Sequence, residues 1–528
     1  MLLFARYITH QSGEQISMTH AKERRAQHLH ALVREELEAF LLKRAEQDED
    51  FAFWLDARLA ASMRHEANTP LDPAPFRRRV EALLCAAGSG HRRRHWNEWG
   101  AEVDEAALED LIGEAEPFLA AGRGADALAI LTPVAAALAD YWPECADWDE
   151  TLHEFFPCLD GMLAQAVLMD GVSREVRDDL VDELDGWQDK LADHGADDAF
   201  STAIAACLQG WDEPGLEDAL AGRAQNWPFG GRGDHLEDAL TRARLAALDA
   251  MGRTEAYLYL SLAAGSYCAH AVKLARMGRV DEAVAFAHAR LSAPDDILRL
   301  AQAVVAATGQ GATSFDLAAW GLSLPAYKED GGDWYPGVSK ISLARWLRDA
   351  AQEAGRRDMV LLAAQAAFEE SLAREDFRAA SRLAGATDWP ALRETLLATL
   401  LAAPHAYERL EILLDEDMID EAVACVDPQE GRFFSLGGRT LERLAERAYG
   451  DHPDWAIALA FRMADPIMNE GRSTHYDTAA EWLGIAARAH AASGRSGEWA
   501  ARLDGLIETY YRKYKLRPLL EALRHSAC

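Results

Sequence analysis

Two pairs of adjacent carboxylates, Asp178-Asp179 and Asp197-Asp198, are the first residues in this chain that could do chemistry. Glycoside hydrolases place one carboxyl group as an acid and a second as a base or nucleophile across a cleft. The 15 tryptophans of the chain could line such a cleft. Adjacent residues of a helix point about 100 degrees apart, however, so neither pair is a catalytic dyad by itself. An all-helical toroid that hydrolyses sugars is therefore one alternative, and it requires two facing carboxylates in a closed ring of helices.

Two arginine runs lie close together in the N-terminal part of the chain, Arg77, Arg78 and Arg79 followed by Arg92, Arg93 and Arg94. Guanidinium groups bind nucleic-acid phosphates and acidic protein surfaces. Internal ion pairs with the acidic part of the chain are the favoured interpretation, ahead of a protein partner and of nucleic acid. If the runs have an external ligand, these six arginines are the candidate partner-binding residues.

Other motifs nominate no reactive centre. The glycine-rich loop from Trp227 to Asp234 lacks Gly-Lys-Ser/Thr and a preceding strand, so it is predicted to connect helices and not to bind phosphate. The sequence contains no HExxH, G-x-S-x-G or kinase motif. Its seven cysteines include no C-x-C or C-x-x-C pair, which indicates reduced thiols in a cytoplasmic protein. We therefore assign no catalytic, cofactor-binding or metal-binding residue and expect no cofactor.

The elements that position these residues are predicted from a recurring Gly-Arg motif in an Ala- and Leu-rich chain. It occurs as GRGADALAIL, GRTEAYLYL, GRVDEAVAFA, GRRDMVLLAA and GRSGEWAARL, beginning at Gly122, Gly252, Gly278, Gly355 and Gly494. Each glycine is predicted to end one helix. The alanine that follows is predicted to be the first residue on the packing face of the next helix. Sparse isoleucine and valine disfavour strands. The sequence thus predicts an all-α fold, a tetratricopeptide-like α-α superhelix of stacked antiparallel helical hairpins.

Charge is distributed unevenly over three segments. Residues 1–100 carry 15 basic and 14 acidic side chains, residues 101–250 carry 8 and 34, and residues 251–528 carry 31 and 39. The middle segment therefore has a net charge of −26, within a total of −33. A solvated outer face is the favoured explanation. The same charge would repel nucleic acid and attract a basic protein partner.

Domain boundaries follow from the prolines between Asn68 and Pro75, which are predicted to stop helices on both sides. We predict an N-terminal helical element at 1–70, a linker with the basic runs at 71–100, and a helical-repeat body at 101–528. Apolar stretches are interrupted before the roughly 18 residues that a membrane span needs, and the N-terminus does not read as a secretory signal. The prediction is a cytoplasmic protein without a membrane segment.

Four stretches carry a resemblance to a known family. They are GWQDKLADHGADDAFSTAIAACLQGWDEP at 186–214, LTRARLAALDAMGRTEAYLYLSLAAG, VKLARMGRVDEAVAFAHARL, and GLSLP with LARWLRDAAQEAGRRD. Together they resemble the helical C-terminal region of bacterial SWIM zinc-finger proteins over most of 100–405. In that family a separate module carries the pattern C-x-C followed by C-x-H. The resemblance implies a module that binds zinc and contacts nucleic acid or protein. This chain has no C-x-C, and Cys268-Ala269-His270 is a lone C-x-H. Two ligands do not complete a tetrahedral zinc site.

These observations favour a non-catalytic helical-repeat scaffold for protein-protein interaction, with a basic partner. The first alternative is a nucleic-acid-associated or DNA-mimic regulatory protein related to SWIM proteins. The second is the all-helical glycosidase described above.

Overall fold

The computed structural model describes residues 33–62, 71–90, 105–145, 152–192, 196–224, 226–227, 235–324, 339–403, 408–426 and 438–524. The regular elements in these ranges are helices, without a strand among them, so the all-α prediction is confirmed. The chain divides into two compact units, Met1–His270 (unit 1) and Ala271–Cys528 (unit 2).

The helices of unit 1 are α1 (Arg34–Gln47), α2 (Glu49–Ser62), α3 (Ala74–Gly90), α4 (Glu105–Gly113), α5 (Glu116–Ala120), α6 (Gly124–Cys145), α7 (Leu152–Val167), α8 (Arg174–Ala192), α9 (Ser201–Gln209), α10 (Leu216–Leu220), α11 (His235–Ala250) and α12 (Thr254–Ala263). Helix α13 (Tyr267–Arg276) contains the division between the units. Helix α7 is central in unit 1, because it packs against α6, α9 and α11.

The helices of unit 2 are α14 (Val280–Arg290), α15 (Pro294–Thr308), α16 (Ala312–Ser323), α17 (Ile341–Glu353), α18 (Arg357–Ser371), α19 (Arg374–Ala402), α20 (Arg409–Asp415), α21 (Ile419–Ala424), α22 (Gly438–Ala448), α23 (Pro453–Asn469), α24 (Tyr476–Ala492), α25 (Ser496–Thr509) and α26 (Leu516–Ala522), with a 3₁₀ turn at Ser473–His475. Helix α19 is broken at Gly385, where φ is 61°. The most extensive contacts in this unit join consecutive helices, such as α17 with α18 and α23 with α24.

The Gly-Arg motif closes helices in the predicted way. All five glycines have a left-handed backbone, with φ between 69° at Gly252 and 80° at Gly278. The N–H of the following arginine donates to a carbonyl five residues back, as from Arg279 to Leu274 at 3.0 Å. The glycine N–H donates to a carbonyl three residues back, as from Gly278 to Ala275 at 2.9 Å. These two bonds form a Schellman motif, and the next helix begins within two residues of the arginine at every one of the five sites.

Replacement of Gly278 by alanine is expected to destabilise the chain by about 1–2 kcal/mol, because an L-residue is strained at this positive φ. A Cβ there would meet no atom within 4 Å, so backbone strain alone is tested. Gly505→Ala is the matched control, since Gly505 lies inside α25 with equally free space. The control variant should be more stable than the wild type by up to about 1 kcal/mol. Thermal unfolding of the two variants should thus shift in opposite directions, and a shared direction would refute the role given to Gly278.

The described part of the predicted linker, residues 71–90, is mostly a helix. Pro73 and Pro75 stand at the beginning of α3, where proline is well tolerated in the first turn of a helix. Phe76 and Val80 of α3 are completely buried in the same core as α4, α6 and α7. The N–H of Leu71 donates to Asp126 Oδ1 on α6 at 3.1 Å. The prolines therefore start a core helix of unit 1 instead of separating two domains.

Helix α6 contains the apolar stretch of greatest length in the described residues. Its window Gly124–Tyr141 is long and apolar enough to cross a membrane, and half of that window is buried inside the structure. Ile130, Leu131 and Val134 are fully buried in the core of unit 1. In this structure α6 therefore serves as a core helix.

Candidate interaction surface

One side of α8 presents a stripe of carboxylates to solvent, which we call the acidic face. Its exposed members are Glu175, Asp178, Asp179, Asp182, Glu183, Asp185 and Asp189. They recur mainly at intervals of three and four residues, so most of them share one side of the helix. Asp178 lies 3.7 Å from Arg174, and the other six have no ion-pair partner in the described part of the chain. The acidic face is therefore negative charge that the fold leaves available.

The opposite side of α8 fixes this helix on unit 1. Leu180, Leu184 and Leu191 are buried in the core. The ring of Trp187 packs edge-on against Phe200, with centroids 6.1 Å apart. These apolar contacts are spaced at about one helical turn, which is the pattern that orients an amphipathic helix.

Two polar contacts add to the position of α8. Gln188 Oε1 accepts hydrogen bonds from Phe200 N at 3.1 Å and from Ser201 Oγ at 3.2 Å. Lys190 Nζ binds Asp140 Oδ1 on α6 at 2.7 Å. Because neighbouring elements hold α8 at several points, the acidic face has a fixed orientation on unit 1.

Helix α9, which packs against α8, has a buried carboxylate at its N-terminus. Asp160 of α7 is only 5% exposed and accepts bonds from the N–H groups of Thr202 at 3.0 Å and Ala203 at 2.8 Å. These N–H groups have no partner within their own helix, and the helix dipole favours negative charge there. Burial raises the pKa of Asp160 to about 6, although its hydrogen bonds with Thr202 and Ala203 lower it in part.

The C-terminus of α9 has a buried cation. Arg244 of α11 is 1% exposed, and its Nη2 and Nε donate to the carbonyl of Gly210 at 2.9 and 3.2 Å. Its Nη1 donates to Glu213 Oε2 at 2.6 Å, and the guanidinium lies 5.2 Å from the ring centroid of Trp227. Burial lowers the pKa of Arg244 from its usual value, but a guanidinium remains charged in proteins. Side chains from α7 and α11 thus hold both ends of the helix that lies beside α8.

Some carboxylates of unit 2 differ from those of the acidic face, because arginines neutralise them within the fold. Asp376 is 2% exposed and accepts bonds from Arg345 at 2.6 Å, Arg348 at 3.2 Å and Ser371 at 2.8 Å. Burial raises the pKa of Asp376, but these donors outweigh it and hold the pKa below its ordinary value. Asp415 of α20 likewise binds Arg374, at 2.8 Å. Carboxylates of this kind stabilise the fold and offer less charge to a partner.

The first arginine run is placed on α3 beside acidic residues of unit 1. Arg77 Nε lies 3.1 Å from Glu81, and Arg78 lies 3.9 Å from Asp56. Burial raises the pKa of Glu114, and the positive charges of Arg58 and Arg79 lower it only in part. Arg92, Arg93 and Arg94 lie outside the described residues.

Glu114 lines a cavity of about 40 Å³ between α2, α3 and α4, together with Trp54, Arg79 and Asp110. It is 5% exposed, and its Oε1 lies 3.8 Å from Arg58 of α2. Its Oε2 has no hydrogen-bond partner among the described residues. A cavity of this size holds one water molecule.

The remaining candidates from the sequence each have surroundings of their own. Asp178, Asp179, Asp197 and Asp198 are exposed on α8 and just after it. Among the tryptophans, Trp211 Nε1 donates to Leu168 O at 2.9 Å, and Trp389 packs edge-on against Phe377 at 5.2 Å between centroids. His270 of the lone C-x-H is 7% exposed, with Nδ1 3.0 Å from Ser261 Oγ. In the described ranges no group of three His, Cys, Asp or Glu residues could hold a metal ion.

Sequence reasoning missed Asp160, Arg244 and the segment Tyr510–Lys515. The first two are single charged residues in helical context, without any local signal that they are buried. The third has a visible signal, because three tyrosines and three basic residues are consecutive in an acidic chain.

Comparisons with protein-family models, with curated proteins and with solved structures find no match to this chain.

Proposed function

We propose that this protein is a non-catalytic helical-repeat scaffold that binds a basic protein partner through the acidic face of α8. Six of the seven carboxylates on that face lack an ion-pair partner among the described residues, and this single observation carries the proposal. A basic partner would gain several ion pairs there without breaking any inside the fold.

The scaffold part of the proposal is a tetratricopeptide-like stack of antiparallel hairpins. Its support comes from the Schellman turns, which join short helices through a glycine and an arginine. In unit 2, helices also contact the next helix and the next but one, as α15 contacts α16 and α17. Stacked hairpins show this pattern because each repeat buries its apolar side against its neighbours.

Loss of the acidic face should weaken binding of a basic peptide about tenfold. The variant replaces Asp178, Asp179, Asp182 and Asp185 by asparagine. An exposed ion pair contributes about 0.2–1 kcal/mol, so four lost pairs amount to roughly one decade in Kd. The measurement is fluorescence anisotropy of a labelled peptide of alternating lysine and serine, at about 50 mM salt to limit screening.

A control variant removes the same amount of charge from unit 2. It replaces the exposed residues Glu369, Glu370, Glu394 and Glu498 by glutamine. Binding should change less than about twofold, because these carboxylates are spread over three helices, α18, α19 and α25. Equal losses in the two variants would mean that net charge alone attracts the peptide, and the proposed site on α8 would be abandoned.

A further inference from the structure

The connection between α25 and α26 is the most strongly basic and aromatic surface segment of the described residues. It reads Tyr510-Tyr511-Arg512-Lys513-Tyr514-Lys515, three tyrosines and three basic residues without an acid. Tyr511 and Tyr514 are 54% and 79% exposed, and Tyr514 has the highest exposure among the large apolar and aromatic side chains of the described residues. Burial of these rings in a complex would remove a large apolar area from water.

Two of the six side chains anchor this loop to the end of α23. Tyr510 donates a hydrogen bond from its hydroxyl to Asn469 Oδ1 at 2.5 Å. Lys513 Nζ donates to the carbonyl of Met468 and lies 5.1 Å from the ring centroid of Tyr510. The loop is also closed by a bond from Lys513 N to Tyr510 O at 2.8 Å. These bonds give the loop a defined conformation, so binding would cost little ordering entropy.

The other four side chains, those of Tyr511, Arg512, Tyr514 and Lys515, are exposed. Arg512 Nε donates to the hydroxyl of Tyr511 at 2.7 Å, and its guanidinium lies 5.3 Å from the centroid of the Tyr511 ring. Lys515 has no ion-pair partner in the described part of the chain. The surface thus offers two open aromatic rings beside two positive charges.

The connection between α23 and α24 lies next to this loop. Lys513 Nζ is 3.7 Å from the position that a Cβ on Gly471 would occupy. Ser473, Thr474 and His475 of this connection are exposed, and Arg472 pairs with Glu470 at 2.5 Å. The neighbouring carboxylates are Glu470, Glu508 on α25, and Asp465, which faces Tyr510.

We propose that the loop Tyr510–Lys515 and the adjacent connection bind single-stranded nucleic acid. Bases stack on exposed aromatic rings, and phosphates bind Arg and Lys together with Ser and Thr hydroxyls. The composition favours this ligand over an acidic protein segment, because the centre of a protein interface is depleted in lysine and serine. The site shares no residue with the acidic face of α8 and does not depend on it.

The test uses the full chain and a fluorescein-labelled oligothymidylate at about 50 mM salt. The wild type should bind it. The variant Tyr511→Ala with Tyr514→Ala should bind at least about tenfold more weakly, because each stacked base contributes strongly to affinity. Tyr259→Ala, at an exposed tyrosine of unit 1, is the control and should bind as the wild type does.

The charged side chains are tested by salt dependence. Arg512→Ala with Lys515→Ala should reduce the slope of log K against log salt by about 1.4, since two phosphate contacts are removed. Arg242→Ala with Arg276→Ala removes two exposed arginines elsewhere and should leave the slope unchanged. Unaltered circular dichroism of all variants would establish that they fold.

Three results would overturn the proposal. The first is the absence of oligothymidylate binding by the wild type, and the second is unchanged binding by the double tyrosine variant. The third is a polyglutamate peptide that binds as tightly as the oligonucleotide and depends on the same four residues, which would identify an acidic protein segment as the ligand.

Discussion

Replacement of Arg244 by methionine is expected to destabilise unit 1 by about 3–5 kcal/mol, because it removes one partner of a buried ion pair. Methionine fills a similar volume but leaves the carbonyl of Gly210 and the carboxylate of Glu213 without their donor. Glu213 has only 14% of its side chain exposed, so water replaces the guanidinium poorly. Hydrogen exchange of peptides from α7, α9 and α11 in the full chain would report this loss for unit 1 specifically.

Arg242→Met is the control, since Arg242 is exposed two residues earlier on the same helix. It should change stability by less than about 0.5 kcal/mol. Glu213→Gln combined with Arg244→Met should be less destabilising than the sum of the two single variants, because no unpaired carboxylate remains. If Arg244→Met were as mild as Arg242→Met, the buried cation would not hold the end of α9.

The second large effect is a pH dependence at Asp160, and its direction is opposite to that of ion-paired carboxylates. The pKa of Asp160 is about 6 in the fold, above its ordinary value of 3.8. The folded state therefore binds the proton more tightly than the unfolded state does. The stabilising contribution of Asp160 is complete below about pH 4 and is lost as the pH rises through about 6. It amounts to on the order of 3 kcal/mol in total.

The measurement compares the wild type with Asp160→Asn, which does not titrate at this position. As the pH falls from about 7 to about 4.5, the free energy of unfolding of the wild type should rise relative to that of the variant. Hydrogen exchange of the amides of α9 would report the same change in stability at this helix. A difference that stays constant, or that changes in the other direction, would contradict the raised pKa.

Asp376 provides the contrast within the same chain. Its pKa lies below the ordinary value because Arg345, Ser371 and Arg348 bind it. The stability that it contributes is therefore present above the unfolded pKa and lost as the pH falls. Asp160 and Asp376, which are 5% and 2% exposed, thus respond to acid in opposite ways, and arginine binds only the second.

Helix ends were predictable at the Gly-Arg motif because all of the determinants are local. Gly278 and Arg279, for example, form their bonds with carbonyls three and five residues back, within reach of the same turn. A glycine is needed there because the backbone is left-handed. The prolines near residue 73 gave a less certain signal, since proline both ends one helix and begins the next.

The residues that hold α9 could not be predicted from spacing. Asp160 lies 42 residues from Thr202, and Arg244 lies 34 residues from Gly210. These pairs meet only because α7 and α11 pack against α9. Nothing in the sequence near Arg244 distinguishes it from exposed Arg242 except its place on the apolar side of α11.

The charges of the candidate surfaces were only partly visible in the sequence. The largest negative charge by segment is that of residues 101–250, where the acidic face lies. The positive charge of Tyr510–Lys515 is hidden in the net charge of −8 of residues 251–528. Segment counts also do not show which carboxylates are already paired. Asp415 and Asp182 contribute equally to the sum, yet Arg374 binds the first and the second is left exposed.

Zero-length cross-linking tests the central claim, that α8 recognises a basic partner, most directly. A carbodiimide couples carboxylates to amines that are in contact, so peptides of the chain cross-linked to the lysine- and serine-containing probe can be mapped by mass spectrometry. If the acidic face is the binding site, cross-links should concentrate on Arg174–Ala192. Cross-links spread over both units in proportion to their exposed carboxylates would contradict it.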